Sequence, residues 1–377
     1  MIYVTIPLKY IPRQLTWEMV IKNIEIVDKG NTYDTRTFCR ESITGFKPAA
    51  YNEIFVINAL KRFNESTAFL QKDDMQNLYS SYSIRKKSGG YRRIDNPCSD
   101  LKQAQNKLKD IFEDFFLARY HTCAYAYIPK RNIVMCRQKH ACNHSKWFLY
   151  TDFSNFFGSI TYEYVIKMLS QIFPFNSILA NPTGNAELKK ALKLCFLNGG
   201  LPQGSPISPM LTNLIMIPID YQINKYVCQN FKRASYTRYA DDICISSIDG
   251  FDYKEVISHI NEILKSEGAP FGFNDKKTHY MNNNWKNFNL GIMINKDGNM
   301  TIGWRKKKEL KTLLHSFIMS HDDSNKCIWE LRDVQYLQGI IAYYKQIEPQ
   351  GIANIIDLYN KKFHCNIQWQ IKQALKI

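Results

Sequence analysis

At 377 residues, with 45% hydrophobic and 22% charged side chains, the chain has the length and balance of a globular protein able to bury a full core. Its apolar runs fall short of about 18 residues, its N-terminus lacks a signal-peptide apolar core, and its 10 cysteines form no Cys-x-x-Cys pair; these features argue against a membrane span, secretion and a disulfide scaffold, and for a reducing cytoplasm. Against 34 Asp and Glu, 50 Lys and Arg give a formal charge of +16, and 14% aromatic residues accompany them, so a polyanion with phosphates to neutralise and bases to stack is the favoured partner.

Residues 1–80 show mixed helical periodicity, as in "YNEIFVINALKRFNESTAFLQ", and read as a helical scaffold. In "SIRKKSGGYRRIDNP" two basic strands flank Gly89 and Gly90, the signal of a hairpin able to handle phosphates at its tip. "LKQAQNKLKDIFEDFFLARY" follows as an amphipathic helix with Leu101, Ala104, Leu108, Ile111 and Phe115 on its core stripe. Cys136, His140, Cys142 and His144 crowd into "CRQKHACNH", but the spacing matches no familiar zinc pattern. The strand from Trp147 to Tyr150 then carries Asp152 at its end, within "KWFLYTDFSNFFGSI".

After a helical insertion, "GGLPQGSPISPMLTNLIMIPIDYQI" reads as a Gly- and Pro-rich loop opening a helix, with Pro206 suited to the first turn. "YTRYADDICIS" reads as strand, tight turn, strand, with Asp241 and Asp242 at the tip. Adjacent carboxylates raise each other's pKa unless a cation or strong donor lies between them, and Mg²⁺ takes carboxylate oxygens while leaving positions for phosphates. A helix from about Lys254 to Ser266, the stretch "GFNDKKTHY", a hairpin in "NFNLGIMINKDGNMTIGW" and a basic helical C-terminal part complete the chain. Nucleotidyl transfer needs two metal ions about 4 Å apart, held by carboxylates from more than one strand. Asp152, Asp241 and Asp242 meet that need if their strands are neighbours in one antiparallel sheet, with Phe153 adding a backbone carbonyl.

"KKSGGYRRI", "TDFSNFFGSI", "LPQGSPISP" and "YADD", in this order between roughly Ile84 and Phe317, resemble the reverse transcriptases, and the retron-type bacterial branch most. The resemblance implies an α+β right-hand polymerase fold: an N-terminal extension over 1–80, fingers over 81–145, an antiparallel-sheet palm over 146–290 with inserted finger helices, and a helical thumb over 291–377. It implies that Asp152 and Asp241 bind two Mg²⁺ ions, with Asp242 as an accessory carboxylate and Phe153 as a carbonyl ligand. Gln203 would lie against the incoming nucleotide, with Gly204 allowing close backbone approach. Phe157 would stack under the sugar and exclude a 2′-hydroxyl, with Phe156 the core-facing alternative. Lys87 and Arg92 would contact the triphosphate, Arg93 being near enough to exchange roles with Arg92. Lys277, rather than its neighbour Lys276, would protonate the leaving pyrophosphate, a role favoured by a lowered pKa. Gly291 would belong to a primer-gripping hairpin. Lys130, Arg131 and His140 are candidates for template contact, with a core-facing histidine as the alternative.

Retron enzymes usually carry a Val-Thr-Gly triplet ahead of the thumb, where this chain has "NFNLGIM". No nuclease or ribonuclease H segment is apparent, and the resemblance points to a free-standing enzyme like the retron-related "unknown group" enzymes of phage defence. The expected partners are an RNA template from the same locus, deoxynucleoside triphosphates, a DNA product, and a second copy of the chain or a second defence protein. The alternatives are untemplated or protein-primed DNA synthesis and an RNA-binding protein with an inert polymerase fold; the presence of all three acids and Gln203 disfavours the last.

Overall fold

The protein is described by a computed structural model, which covers residues 4–7, 24–25, 35–38, 53–72, 74–85, 89–115, 120–284, 287–321 and 327–375. Three short strands are described ahead of the expected helix. β-Branched runs such as "VTIP" and "TRTF" favour extended chain, and Val4–Pro7 (β1), Ile24–Glu25 (β2) and Thr35–Phe38 (β3) pair antiparallel in the order β1-β3-β2. The first helix among the described residues is Glu53–Ser66 (α1), where Val56, Leu60 and Phe63 recur on one face and are buried in the main core. This helix packs against later elements and is integral to the body.

The glycine signal places a hairpin where expected. Tyr79–Arg85 (β4) pairs with Tyr91–Pro97 (β5), Arg85 lies opposite Tyr91, and Gly89 and Gly90 have φ of 89° and 76°. Ser99–Phe115 (α2) buries Leu101, Ala104, Leu108 and Phe112, while Ile111 packs at the margin. Ile133–Cys142 (α3) is capped by Asn132, whose side chain accepts the Met135 N–H at 2.9 Å.

Four strands form the central antiparallel sheet: Trp147–Asp152 (β6), Ser235–Tyr239 (β7), Asp242–Ser247 (β8) and His279–Asn282 (β9), in the order β7-β8-β6-β9. Both faces are covered. Leu149, Ile243 and Ile245 join the main core, whereas Phe148, Tyr150 and Cys244 join a smaller cluster against which Ala141 of α3 packs. This is the period-2 alternation of a strand, with an apolar partner on each side.

Between β6 and β7 the chain inserts Phe156–Ser159 (α4), Tyr162–Leu169 (α5), Phe175–Ala180 (α6) and Pro182–Leu192 (α7), then the helix Ser208–Asn230 (α8). α8 is apolar on all sides and buried for most of its length, as its sequence requires. Its first-turn proline is Pro209; Pro206 lies in the loop before it. Tyr253–Ser266 (α9) buries Val256, Ile260 and Ile263 in the same core.

Beyond a short hairpin of Met293–Ile294 (β10) and Met300–Thr301 (β11), Gly303–Met319 (α10), Leu331–Ile347 (α11), Pro349–Phe363 (α12) and Ile367–Ala374 (α13) form a helical unit with its own core. Val134 of α3 belongs to that second core and ties it to the sheet region. The architecture is α+β: a basic hairpin, an antiparallel sheet clasped by helices, and a terminal helical unit.

Candidate active site

Asp152, the last residue of β6, lies directly opposite Asp242, the first of β8, and Tyr239 faces Asp242 across a two-residue turn of Ala240 and Asp241. The three acids therefore share one end of the sheet. The Phe153 N–H donates to the Asp241 carbonyl at 3.2 Å, and the Asp152 carbonyl accepts the Asn274 N–H at 2.9 Å. Ser154 bonds on to Gly272, so the Phe153 carbonyl stands outside this bridge. The Phe153 ring is core, stacked on Phe156 and Phe273.

Asp152 is 4% exposed; its Oδ2 is paired with the Lys277 ammonium, and its buried Oδ1 has no partner. Burial, and then the neighbouring charges of Asp241 and Asp152, push the Asp242 carboxyl up to about 6. Burial likewise raises Asp241, and Lys277 and Arg92 draw both acids the other way. An orphaned buried carboxylate oxygen and mutually opposed acids make a donor set that fits a hard divalent cation. Among the described residues no three His, Cys, Asp or Glu side chains already close into a ligand cluster, and the partner that Asp152 has is Lys277.

Lys277 corrects one expectation. Its pKa is raised rather than lowered, first by the hydrogen bond to Asp152, because an ammonium beside a buried carboxylate is held in its charged form. Lys276 is exposed.

The structure separates Arg92 from Arg93. Successive strand residues face opposite sides, and Arg93 is engaged with Asp95 at 2.7 Å and Ser81 at 2.9 Å, whereas the charge of Arg92 reaches Asp241 and Asp242. Lys87 lies outside the described residues. Gln203 is half-buried, and its carbonyl accepts the Asp95 N–H of β5 at 2.7 Å. Gly204 has φ 132°, and a Cβ there would come within 2.5 Å of the Asp95 carbonyl. The close approach that Gly204 permits in this structure is to the hairpin backbone. Phe157 is half-buried, edge-on to the buried Phe156, and its carbonyl accepts the Leu201 N–H at 3.1 Å. Asp152, Phe157, the Gln203 loop and the base of the basic hairpin are thus linked in series.

The template candidates divide. Lys130 is exposed. Arg131 is half-buried and donates to the carbonyls of His121 at 2.7 Å and Ala124 at 2.5 Å, so it braces a loop. His140 is fully buried, 2.5 Å from Ser246 Oγ and 2.7 Å from Thr237 Oγ1, where it ties β8 to β7 and cannot meet a template. Gly291, with φ 80°, lies in the turn before β10, and its carbonyl accepts from Lys306 of α10 at 2.7 Å.

Sequence reasoning passed over Tyr127, an exposed ring whose backbone has φ 59°. It also passed over Arg238 and Asp220, a buried ion pair whose signal was a charge inside each of two apolar runs.

A family model, Reverse transcriptase (RNA-dependent DNA polymerase), matches residues 84–315. The chain is 28% identical to Retron Ec73 reverse transcriptase of Escherichia coli over 298 residues, covering 76% of this chain and 88% of that one. It is 26% identical to Retron Ec83 reverse transcriptase of Escherichia coli, over 75% and 87% of the two chains. A telomerase from Candida albicans, in complex with a fragment of telomeric RNA, aligns with a TM-score of 0.42 at 10% identity over 93% of this chain; this chain spans 66% of that one. Among the described residues no helix is long and apolar enough to cross a membrane. With its motifs in family order and the model match running through more than half its length, the chain belongs to the reverse transcriptases, the RNA-directed DNA polymerases.

Proposed function

We propose that the polymerase centre lies at the shared strand ends, with Asp152, Asp241, Asp242 and the Phe153 carbonyl holding two Mg²⁺ ions. The observation that carries this reading is the register pairing of Asp152 with Asp242, with Asp241 on the adjoining turn and Asp152 Oδ1 buried and unpartnered. Bound there, Mg²⁺ supplies a more acidic 3′-hydroxyl and charge neutralisation at the triphosphate. Arg92 and Lys87 bind the triphosphate from the hairpin, and Gln203 and Phe157 orient the base and sugar. Lys277 would give its proton to the leaving pyrophosphate, a role that requires its ammonium to leave the pairing with Asp152 seen in this structure. Lys130 and Gly291 lie along the template and primer paths.

We further propose that the template is a noncoding RNA from the same locus and that DNA synthesis serves phage defence. Similarity to the retron reverse transcriptases and the +16 charge support this reading. Protein purified from cells with its flanking locus, given labelled deoxynucleotides and Mg²⁺, should yield DNA complementary to a co-purifying RNA. DNA without an RNA counterpart would instead establish untemplated or protein-primed synthesis. The Asp241→Ala variant should retain less than about 1% of incorporation, and cells carrying it should lose protection in a phage-plating assay. Equal plating of wild type and variant would refute a catalytic role in defence.

A further inference from the structure

A fully buried arginine in the strand leading to the acids calls for an explanation that stability does not supply. Arg238 of β7 and Asp220 of α8 are both 0% exposed. Replacing such a pair with apolar residues of similar volume is often neutral or stabilising, so the pair is weak evidence of a stabilising role. Its geometry shows another use. Arg238 Nε donates to Asp220 Oδ1 and Oδ2 at 2.9 and 3.2 Å, and Nη2 donates to Oδ2 at 2.8 Å. Nη1 then donates both to Asn213 Oδ1 of α8 at 3.1 Å and to the Ala240 carbonyl at 3.0 Å.

Asp220 is in turn gripped by the Tyr236 hydroxyl at 2.8 Å, and Asn213 donates its amide to the Ala126 carbonyl at 2.9 Å. The Arg238 backbone is also fixed, its N–H bonded to the Cys123 carbonyl at 2.8 Å and its carbonyl to the Tyr125 N–H at 2.9 Å. The guanidinium is therefore bolted to the long buried helix on one side. On the other it holds the residue immediately before Asp241. That residue, Ala240, has φ 59°, in the left-handed region that a non-glycine side chain resists. Left alone, such a turn tends to relax, and relaxation would move Asp241 and Asp242 relative to Asp152.

We infer that Arg238 is a positioning residue: Asp220 and Asn213 lock its guanidinium, which holds the Ala240 carbonyl and so fixes the two turn carboxylates against Asp152. The inference rests on the reading of those carboxylates as the metal-holding centre. Displacement of reacting groups by about 1 Å is enough for a hundredfold loss of rate.

Arg238→Lys keeps the charge opposite Asp220, but one ammonium cannot span Asp220, Asn213 and Ala240. Asn213→Ala leaves the ion pair intact and serves if the lysine variant does not fold. Each is measured for melting temperature, for Mn²⁺ affinity by electron paramagnetic resonance, and for kcat and KM with dTTP on poly(rA)·oligo(dT). In whichever variant folds, kcat should fall about tenfold or more and Mn²⁺ should bind several-fold more weakly, with duplex affinity unchanged. Adding Ala240→Gly to that variant should restore part of kcat, because glycine takes φ 59° without being held. A purely structural role would lower the melting temperature and show no such rescue. A folded variant with wild-type kcat and Mn²⁺ affinity overturns the positioning role. If Asp152→Asn binds Mn²⁺ as tightly as wild type, the metal-centre reading itself falls and takes this inference with it; loss of binding in Asp152→Asn with normal binding in the network variants removes the positioning role alone.

Discussion

Asp242 is held near a pKa of 6 by burial and by two neighbouring acids, so without a bound cation its ionisation opposes folding. The folded-state pKa is raised above the ordinary value of 3.8, so the native protein binds the extra proton and stability falls as pH rises from about 4 to about 6. In EDTA, Asp242→Asn should therefore be more stable than wild type at pH 8, by about 1–2 kcal/mol after discounting for partial exposure, and equal to it near pH 4. Equal melting temperatures at both pH values would show that the repulsion is relieved locally. Phe157 gives a second test at this scale. Its half-buried ring is edge-on to the buried Phe156. Phe157→Ala should reduce discrimination against ribonucleotides by about tenfold or more while some deoxynucleotide addition persists; unchanged discrimination would place the gate elsewhere.

At the scale of elements, the basic hairpin is joined to the body through Asp95, whose N–H bonds the Gln203 carbonyl and whose own carbonyl occupies the space that a side chain at Gly204 would need. Gly204→Ala must push the loop and β5 apart, at a cost of about 1–3 kcal/mol. It should raise KM for deoxynucleotides more than it lowers RNA affinity, because the displaced element carries Arg92 rather than a proposed template contact. A normal KM with a stable fold would mean that the loop yields and the hairpin does not move. The same elements show how far local pattern extends. The glycines of the hairpin, the apolar run of β6 and the acidic turn were legible, since each is a short-range signal. The stretch quoted for its helical period does hold Glu53–Ser66, while the short strands at 4–7, 24–25 and 35–38 were not foreseen, although the β-branched residues of "VTIP" and "TRTF" are visible in the chain.

Across the described residues the apolar side chains gather into two large cores and a small cluster on the sheet. One runs from α1 through the sheet helices, the other fills the terminal helical unit, and Val134 of α3 belongs to the second. Lys306 to the Gly291 carbonyl, and the paired Lys307 and Glu348, link the terminal helices to their flanking segments. A chain carrying +16 that binds RNA through several phosphates should lose affinity steeply with salt, by at least about tenfold between about 50 and 200 mM. The measurement is RNA binding by the full chain over a salt series, and a flat profile would rule out a basic channel as the main source of affinity.

Residue type and spacing along the chain already disclosed the family, the order of the motifs, the acids at two strand ends and the helical character of the terminal unit. These are properties of residue type and short-range period, which a linear chain carries openly. Long-range packing settled that Arg93 is engaged by Asp95 and Ser81, that His140 is a buried tie between strands, that Gly204 yields space to Asp95, and that Arg238 of β7 ties the helix α8 to the turn. The deciding partners are distant in sequence for His140, which meets Thr237 and Ser246, and for Gly204, which meets Asp95. In a sheet buried on both faces, a continuous apolar run shows that a side chain is inside without showing what it meets there.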